Sequence, residues 1–119
     1  GKPSKKGNMP EKSIYHITEY GERYFLELMK RVSTQMVNLF LNFNAVIINL
    51  ELVSPFVQKE VLENIEYQIH QFQKAVSQLE RDRIAIPLTG KTILKQQVLL
   101  SEALNQWMED FKELYIEKE

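Results

Sequence analysis

The chain has 119 residues, of which 44% are hydrophobic and 26% are charged, so it supports one domain, or one compact domain with an arm, and wholesale disorder is excluded. Lysine and arginine together number 15 and aspartate and glutamate 16, and this net charge of −1 excludes a field that attracts polyanions over the whole surface. The absence of cysteine excludes disulfides and thiolate metal sites and allows a reducing cytoplasm, which is the compartment that we expect.

Residues 1–12 form a basic arm. They contain Lys2, Lys5, Lys6 and Lys12 against Glu11, a local charge of +3, so residues 13–119 sum to −4. Such an arm is most simply a solvated tail, and it also fits a protein that touches phosphates only near its N-terminus. No signal peptide is predicted, because residues 1–13 are polar.

A short strand and a helix are predicted after the arm. Lys12 to Ile17 alternates and is rich in β-forming residues, which predicts a strand whose pairing partner would lie upstream. Thr18 is a good N-cap, and the acidic residues of the next turn favour the helix dipole. Gly21 lowers helix stability, so we expect another backbone to approach closely there. The helix has an apolar face at three- and four-residue spacing: Tyr24, Phe25, Leu28, Met29 and Val32.

The segment from Met36 to Val53 has apolar residues on all sides of the helix axis, which predicts burial on several sides. A break near Asn42 to Asn44 would give two short helices. Five polar residues interrupt the segment, so it is too short and too polar to span a membrane, and no membrane partner is predicted.

Two long helices are predicted after Val53. Ser54 and Pro55 are typical of an N-cap and a first helical position, so the first long helix should run from Pro55 to about Arg83. Pro87 blocks a continuing helix and predicts a linker over residues 86–90. The apolar residues of this helix recur in steps of three and four, which is a heptad seam: Leu62, Ile65, Ile69, Phe72, Val76 and Leu79.

The final helix should run from Lys91 to about Glu117. Two seamed helices joined by a short loop predict an antiparallel pair. The expected fold class is therefore mainly α, with long antiparallel helices preceded by one β-strand. The final helix repeats the seam at Leu100, Leu104, Trp107, Phe111 and Leu114.

Catalytic and metal-binding patterns are weak in this chain. Gly90-Lys91-Thr92 resembles the end of a phosphate-binding loop, but position 85 is alanine where that loop needs glycine. His16 and His70 are the only histidines; they lie on different predicted elements, and we expect neither to have a partner at metal-ligand spacing. A nucleophile elbow and a Cys-His pair are both missing. We therefore predict no enzyme, no cofactor and no metal site.

Trp107 is the single tryptophan and lies in the middle of the last seam. One interpretation places it in the core or at a dimer contact. The other makes it an aromatic wall for a flat apolar effector, with Tyr67 and Phe72 on the same surface, because aromatic-lined cavities between helices suit such ligands.

The residues Lys12-Ser-Ile-Tyr-His-Ile-Thr-Glu-Tyr-Gly-Glu-Arg resemble the last wing strand and the next helix of the PadR-like transcription regulators, in which an aromatic residue, threonine and glycine recur at this spacing. Behind them come a buried segment, Ser-Pro, a long helix and a final helix with Glu102, Ala103, Trp107 and Phe111. This order resembles the C-terminal domain of the subgroup that includes virulence-gene activators. The likeness covers nearly the whole chain but does not include the three helices that precede the wing.

The resemblance implies a homodimer and three parts: a wing tip at residues 1–12, a wing strand with its helix at 13–34, and a dimerisation and effector domain at 35–119. Lys5, Lys6 and Lys12 would contact phosphates, which position a protein on DNA without reading its sequence. Some family members release DNA on binding small aromatic compounds, so an aromatic effector is expected. The dimer interface would include Leu100, Leu104, Trp107, Phe111 and Leu114.

Two other functions fit the same residues. The seams could bind a different protein with no link to DNA, or the helices could form a bundle that binds a small molecule. In either case the chain acts by association and not by catalysis.

Overall fold

The computed structural model describes residues 17–82 and 85–118, with side chains described through Tyr115. Its elements are all helical, and no strand occurs within these two ranges. The mainly helical prediction is therefore confirmed. The predicted wing tip, the body of the predicted strand and the three arm lysines Lys5, Lys6 and Lys12 lie outside the described residues. The chain divides into two compact units, one ending at Phe40 and the other beginning at Leu41.

The first unit contains helix α1, Glu19–Ser33. Thr18 caps it as predicted: its backbone is extended, with φ −73° and ψ 164°, and its Oγ1 accepts a hydrogen bond of 2.9 Å from the Gly21 N–H. A Cβ at Gly21 would lie 3.0 Å from Ile17 Cγ1 and 3.2 Å from Thr18 Oγ1. The atoms nearest to Gly21 are therefore side-chain atoms of the two residues that precede the helix. The expectation that another backbone approaches Gly21 is wrong.

The apolar face of α1 is exposed, and no residue of this helix is buried. Tyr24, Phe25, Met29 and Val32 are each between 51% and 54% exposed. Isolated helices of this length are marginal in water, so packing of this face against another surface would stabilise α1.

The segment from Met36 to Val53 is less buried than predicted. Residues 36–41 are not helical, and Met36, Val37 and Phe40 are at least 85% exposed. Helix α2, Asn44–Ile48, and a 3₁₀ turn, Leu50–Leu52, follow in the second unit. A helix therefore begins at the predicted break near Asn42 to Asn44, but the predicted short helix before it is wrong. Leu50 is the one buried residue of this segment, so the predicted burial on several sides is wrong.

Two long helices, α3 (Pro55–Asp82) and α4 (Leu88–Lys118), form the body of the second unit. Ser54 begins α3 as predicted, since its Oγ accepts from the Val57 N–H at 3.4 Å and its carbonyl from the Gln58 N–H at 2.8 Å. Helix α4 begins three residues before the predicted Lys91. Pro87 precedes the helix, and its carbonyl accepts the Lys91 N–H at 3.0 Å, a position in which proline is tolerated.

The two long helices are antiparallel, as predicted. Tyr115 near the end of α4 hydrogen-bonds Gln58 near the start of α3. Lys112, earlier in α4, pairs with Glu66, later in α3. The core lies between them: Ile65, Ile69 and Met108 are between 1% and 6% exposed. Phe43, Ile47, Leu104, Trp107 and Phe111 pack against this cluster.

Burial along α4 differs by one position from the predicted seam. Ser101 and Met108 are the most buried side chains, at 2% and 1% exposure, whereas the seam prediction named the preceding residues of each turn, Leu100 and Trp107. The small Ser101 side chain donates to the Val98 carbonyl at 2.8 Å, so its hydroxyl is satisfied inside the helix. On α3 the prediction holds better, since Leu62, Ile65, Ile69 and Val76 are all buried.

Candidate functional site

A column of aromatic rings runs along α4. Phe43, which precedes α2, stacks on Trp107 with centroids 5.6 Å apart and planes at 17°. Trp107 stacks on Phe111 at 5.8 Å and 2°, and Phe111 lies 6.1 Å from Tyr115 in a tilted arrangement. Residues 107, 111 and 115 are four apart, which places their side chains one above another on one face of a helix. The column anchors the short α2 segment to the long hairpin.

The base of the column is tied to α3 by polar contacts. The Tyr115 hydroxyl hydrogen-bonds the Gln58 side chain, and Gln58 Nε2 donates to the Leu50 and Val53 carbonyls at 3.0 Å each. Lys112 Nζ donates to Glu66 Oε2 at 2.6 Å. This hydrogen bond raises the pKa of Lys112 above its ordinary value, partly opposed by desolvation and assisted by the charges of Glu66 and Glu109.

A groove of about 650 Å³, here called the aromatic groove, opens beside Phe43. None of the described residues that line it is charged, and its polar groups are the carboxamides of Asn42, Asn64 and Gln68. Its size and largely apolar wall suit a neutral, flat ligand. The apolar wall consists of Leu41, Phe43, Val46, Ile65, Ile69, Phe72 and Leu104.

The predicted effector residues are not all in one place. Phe72 lines the aromatic groove. Trp107 does not line it but stacks on Phe43, which does. Tyr67 is 59% exposed and accepts a hydrogen bond of 3.2 Å from Gln71. Since Tyr67 is two residues from both Ile65 and Ile69, it points to the opposite side of α3.

The predicted dimer residues are already engaged inside the chain, with one exception. Leu104, Trp107 and Phe111 pack on the core, and Leu100 is also half-buried. Leu114 is 64% exposed. It lines a second groove of about 740 Å³, here called the end groove, together with Ile47, Ile48, Leu50, Glu51, Phe111 and Tyr115.

Helices α3 and α4 also bring together three potential metal ligands that the sequence analysis did not assign. One ligand atom from each of Glu66, His70 and Glu109 lies within 4.8 Å of the others. The sequence signal was present, because Glu66 precedes His70 by four residues and so shares its helix face. Glu66 is occupied by Lys112 at 2.6 Å, and this ammonium competes with any metal ion.

Among the described helices, none has the length and apolar character that crossing a membrane requires. Comparison of the chain with protein-family models, with curated proteins and with solved structures finds no match. The resemblance to PadR-like regulators therefore stays a prediction that depends on the residues quoted for it.

Proposed function

We propose that this chain is the helical self-association domain of a DNA-binding transcription regulator of the PadR-like type. The observation that carries the proposal is the exposure of large apolar side chains at helical spacing. On α1 four of the five residues of the apolar face are exposed. Ile48 and Leu52, which precede α3, are exposed as well, and so are Phe56 and Leu114 on the hairpin. Exposed apolar surface of this extent is typical of an association site.

The hairpin explains why association would be favourable. Two helices shield each other on one side only, and the cluster between them consists of three buried residues with five partly buried neighbours. Bundles of four helices bury such seams on more sides. Pairing of two hairpins would supply the missing layers and would be driven by removing apolar area from water.

The proposed role in regulation follows from this pairing. A dimer fixes the separation of two DNA-binding domains in the full-length protein and thereby the spacing of half-sites. The arm lysines Lys5, Lys6 and Lys12 would add phosphate contacts without reading sequence. The PadR-like resemblance of residues 12–23 supports the link to DNA.

Sedimentation equilibrium over a wide range of protein concentrations tests the proposal. We expect a reversible dimer with a dissociation constant at or below the micromolar range, about 8 kcal/mol of association free energy. A species that stays monomeric at every concentration would contradict self-association and favour a different protein as the partner.

A second candidate function is the binding of a small aromatic effector, which would act by changing the angle between subunits. The aromatic groove favours it, because Phe43 and Phe72 line an uncharged opening of about 650 Å³. The ring of Trp107 stacks on Phe43, so a ligand in the groove would alter the surroundings of the single tryptophan.

A further inference from the structure

Large exposed apolar side chains lie at both ends of the hairpin, and four of them, each at least 64% exposed, lie at one end. This is the end where α3 begins and α4 finishes, as the hydrogen bond between Gln58 and Tyr115 shows. The four side chains, here called the end patch, are Ile48 at 82% exposure, Leu52 at 81%, Phe56 at 79% and Leu114 at 64%.

The grooves of this region connect three of the four members of the end patch. Ile48 and Leu114 line the end groove, and Phe56 lines a third groove of about 610 Å³. Tyr115 lines both grooves, so it forms the ridge between them. The surface therefore has protruding apolar side chains next to concave sites, which is the shape that interdigitation with a partner requires.

We propose that the end patch is the surface through which two copies of this chain pair. The inference rests on the proposed function and names the contact that the function needs. At roughly 100–150 Å² of exposed area for each large apolar side chain, the patch presents about 400–600 Å² on each copy. Two copies would bury about 800–1,200 Å² from these side chains alone, which is the apolar core of a standard interface once a polar rim is added.

The charges around the patch fit a second copy. The third groove contains Lys59 and Lys112 together with Glu63 and Glu66, so both signs are present on the same surface. In a two-fold symmetric contact the same surface meets itself. Lys112 and Glu66 already pair within each chain at 2.6 Å, so the contact that this surface offers is Lys59 of one copy with Glu63 of the other. The net charge of −1 adds little repulsion between copies.

The end patch differs from the interface expected from the α4 seam. Leu104, Trp107 and Phe111 contribute to the core of their own chain, whereas the patch residues contribute little to it. Leu114 is the one residue that belongs to both the predicted interface and the end patch. Pairing through the patch leaves the aromatic column of each copy intact.

The test compares two charge substitutions in the full chain. Phe56→Glu places a carboxylate in the end patch, and Leu88→Glu places one at the opposite end of the hairpin. The two sites are closely matched, because Phe56 is 79% and Leu88 is 80% exposed and each lies in the first turn of its helix, where a glutamate favours the helix dipole. Neither substitution removes a core contact, and far-ultraviolet circular dichroism checks that helicity is kept.

Sedimentation equilibrium of the wild type and both variants gives the answer. We expect Phe56→Glu to raise the dimer dissociation constant roughly tenfold or more, and Leu88→Glu to leave it within about twofold. Leu114→Lys repeats the test on α4, near the C-terminal end where lysine favours the dipole. A wild-type dimer that neither patch variant weakens overturns the end patch and leaves self-association standing. Equal weakening by the Leu88 control also overturns it, and a monomeric wild type overturns the proposed function itself.

Discussion

Met108 is the most buried side chain of the hairpin, at 1% exposure. It packs in one cluster with Ile65 and Ile69, which are 6% and 2% exposed. Replacing a buried methionine by alanine removes this packing and leaves a cavity, at a cost of about 2–5 kcal/mol. A unit of the size of residues 41–119 has a total stability of roughly 4–12 kcal/mol. Met108→Ala should therefore remove a large part of it.

Thermal unfolding followed by circular dichroism measures the effect. A loss of about 3 kcal/mol corresponds to a fall in Tm of roughly 12–24 °C for a domain of this size. Leu99→Ala is the matched control, since Leu99 is 51% exposed on the same helix and its truncation should cost less than about 0.5 kcal/mol. Several protein concentrations are needed because the proposed dimerisation would make Tm concentration-dependent. If the two variants melt within a few degrees of each other, the packing argument for Met108 is wrong.

Three further predictions follow from the charges and rings described above. A phenolic or polycyclic aromatic probe should quench Trp107 fluorescence, and Phe72→Ser should weaken the quenching; no quenching at saturation counts against an effector in the aromatic groove. DNA binding by this chain should be weak and independent of sequence. If the three arm lysines each contact one phosphate, a plot of the logarithm of the association constant against the logarithm of the salt concentration should have a slope of about −2.7. Tight, sequence-specific binding in a mobility-shift assay would refute this prediction. The Lys112–Glu66 pair should stabilise the fold below the ordinary lysine pKa of 10.5 and lose that contribution as pH rises above it, because the pKa of Lys112 is raised in the folded state. The contribution of the pair should stay below about 1 kcal/mol because the Lys112 side chain is 37% exposed. Urea unfolding of wild type and Lys112→Met measures it. A difference in unfolding free energy that persists unchanged to about pH 12 would contradict the expected loss of stability at high pH.

The local features of the fold could be predicted because they depend on neighbouring residues. Thr18 and Ser54 cap their helices through atoms three residues away, and the signal for each cap is contained in the residues around it. The break before α2 is similarly local, since asparagines compete with the helix backbone. Only the start of α4 was placed three residues late, because Pro87 was read as part of a linker when it directly precedes the first turn.

The candidate site was predicted less well because it depends on contacts between elements. Tyr67 and Phe72 are both aromatic residues of α3, yet only Phe72 lines the aromatic groove, and the difference is a matter of rotation about the helix axis. The ring that stacks on Trp107, Phe43, comes from a segment 64 positions earlier, and no spacing rule connects such distant residues.

The sequence by itself determined that the chain is helical, where α1 and α3 begin, and that α3 and α4 run antiparallel, because caps, seams and a short connection are written in adjacent residues. The tertiary structure decided which side of α4 is buried and which apolar residues of the Met36–Val53 segment stay exposed. A seam of apolar residues is wider than the strip that one partner helix can cover, so the small Ser101 and the flexible Met108 take the line of closest approach and the larger rings move to its flank. Burial of the remaining apolar residues needs more layers than one hairpin contains, and this is the physical reason that they remain exposed.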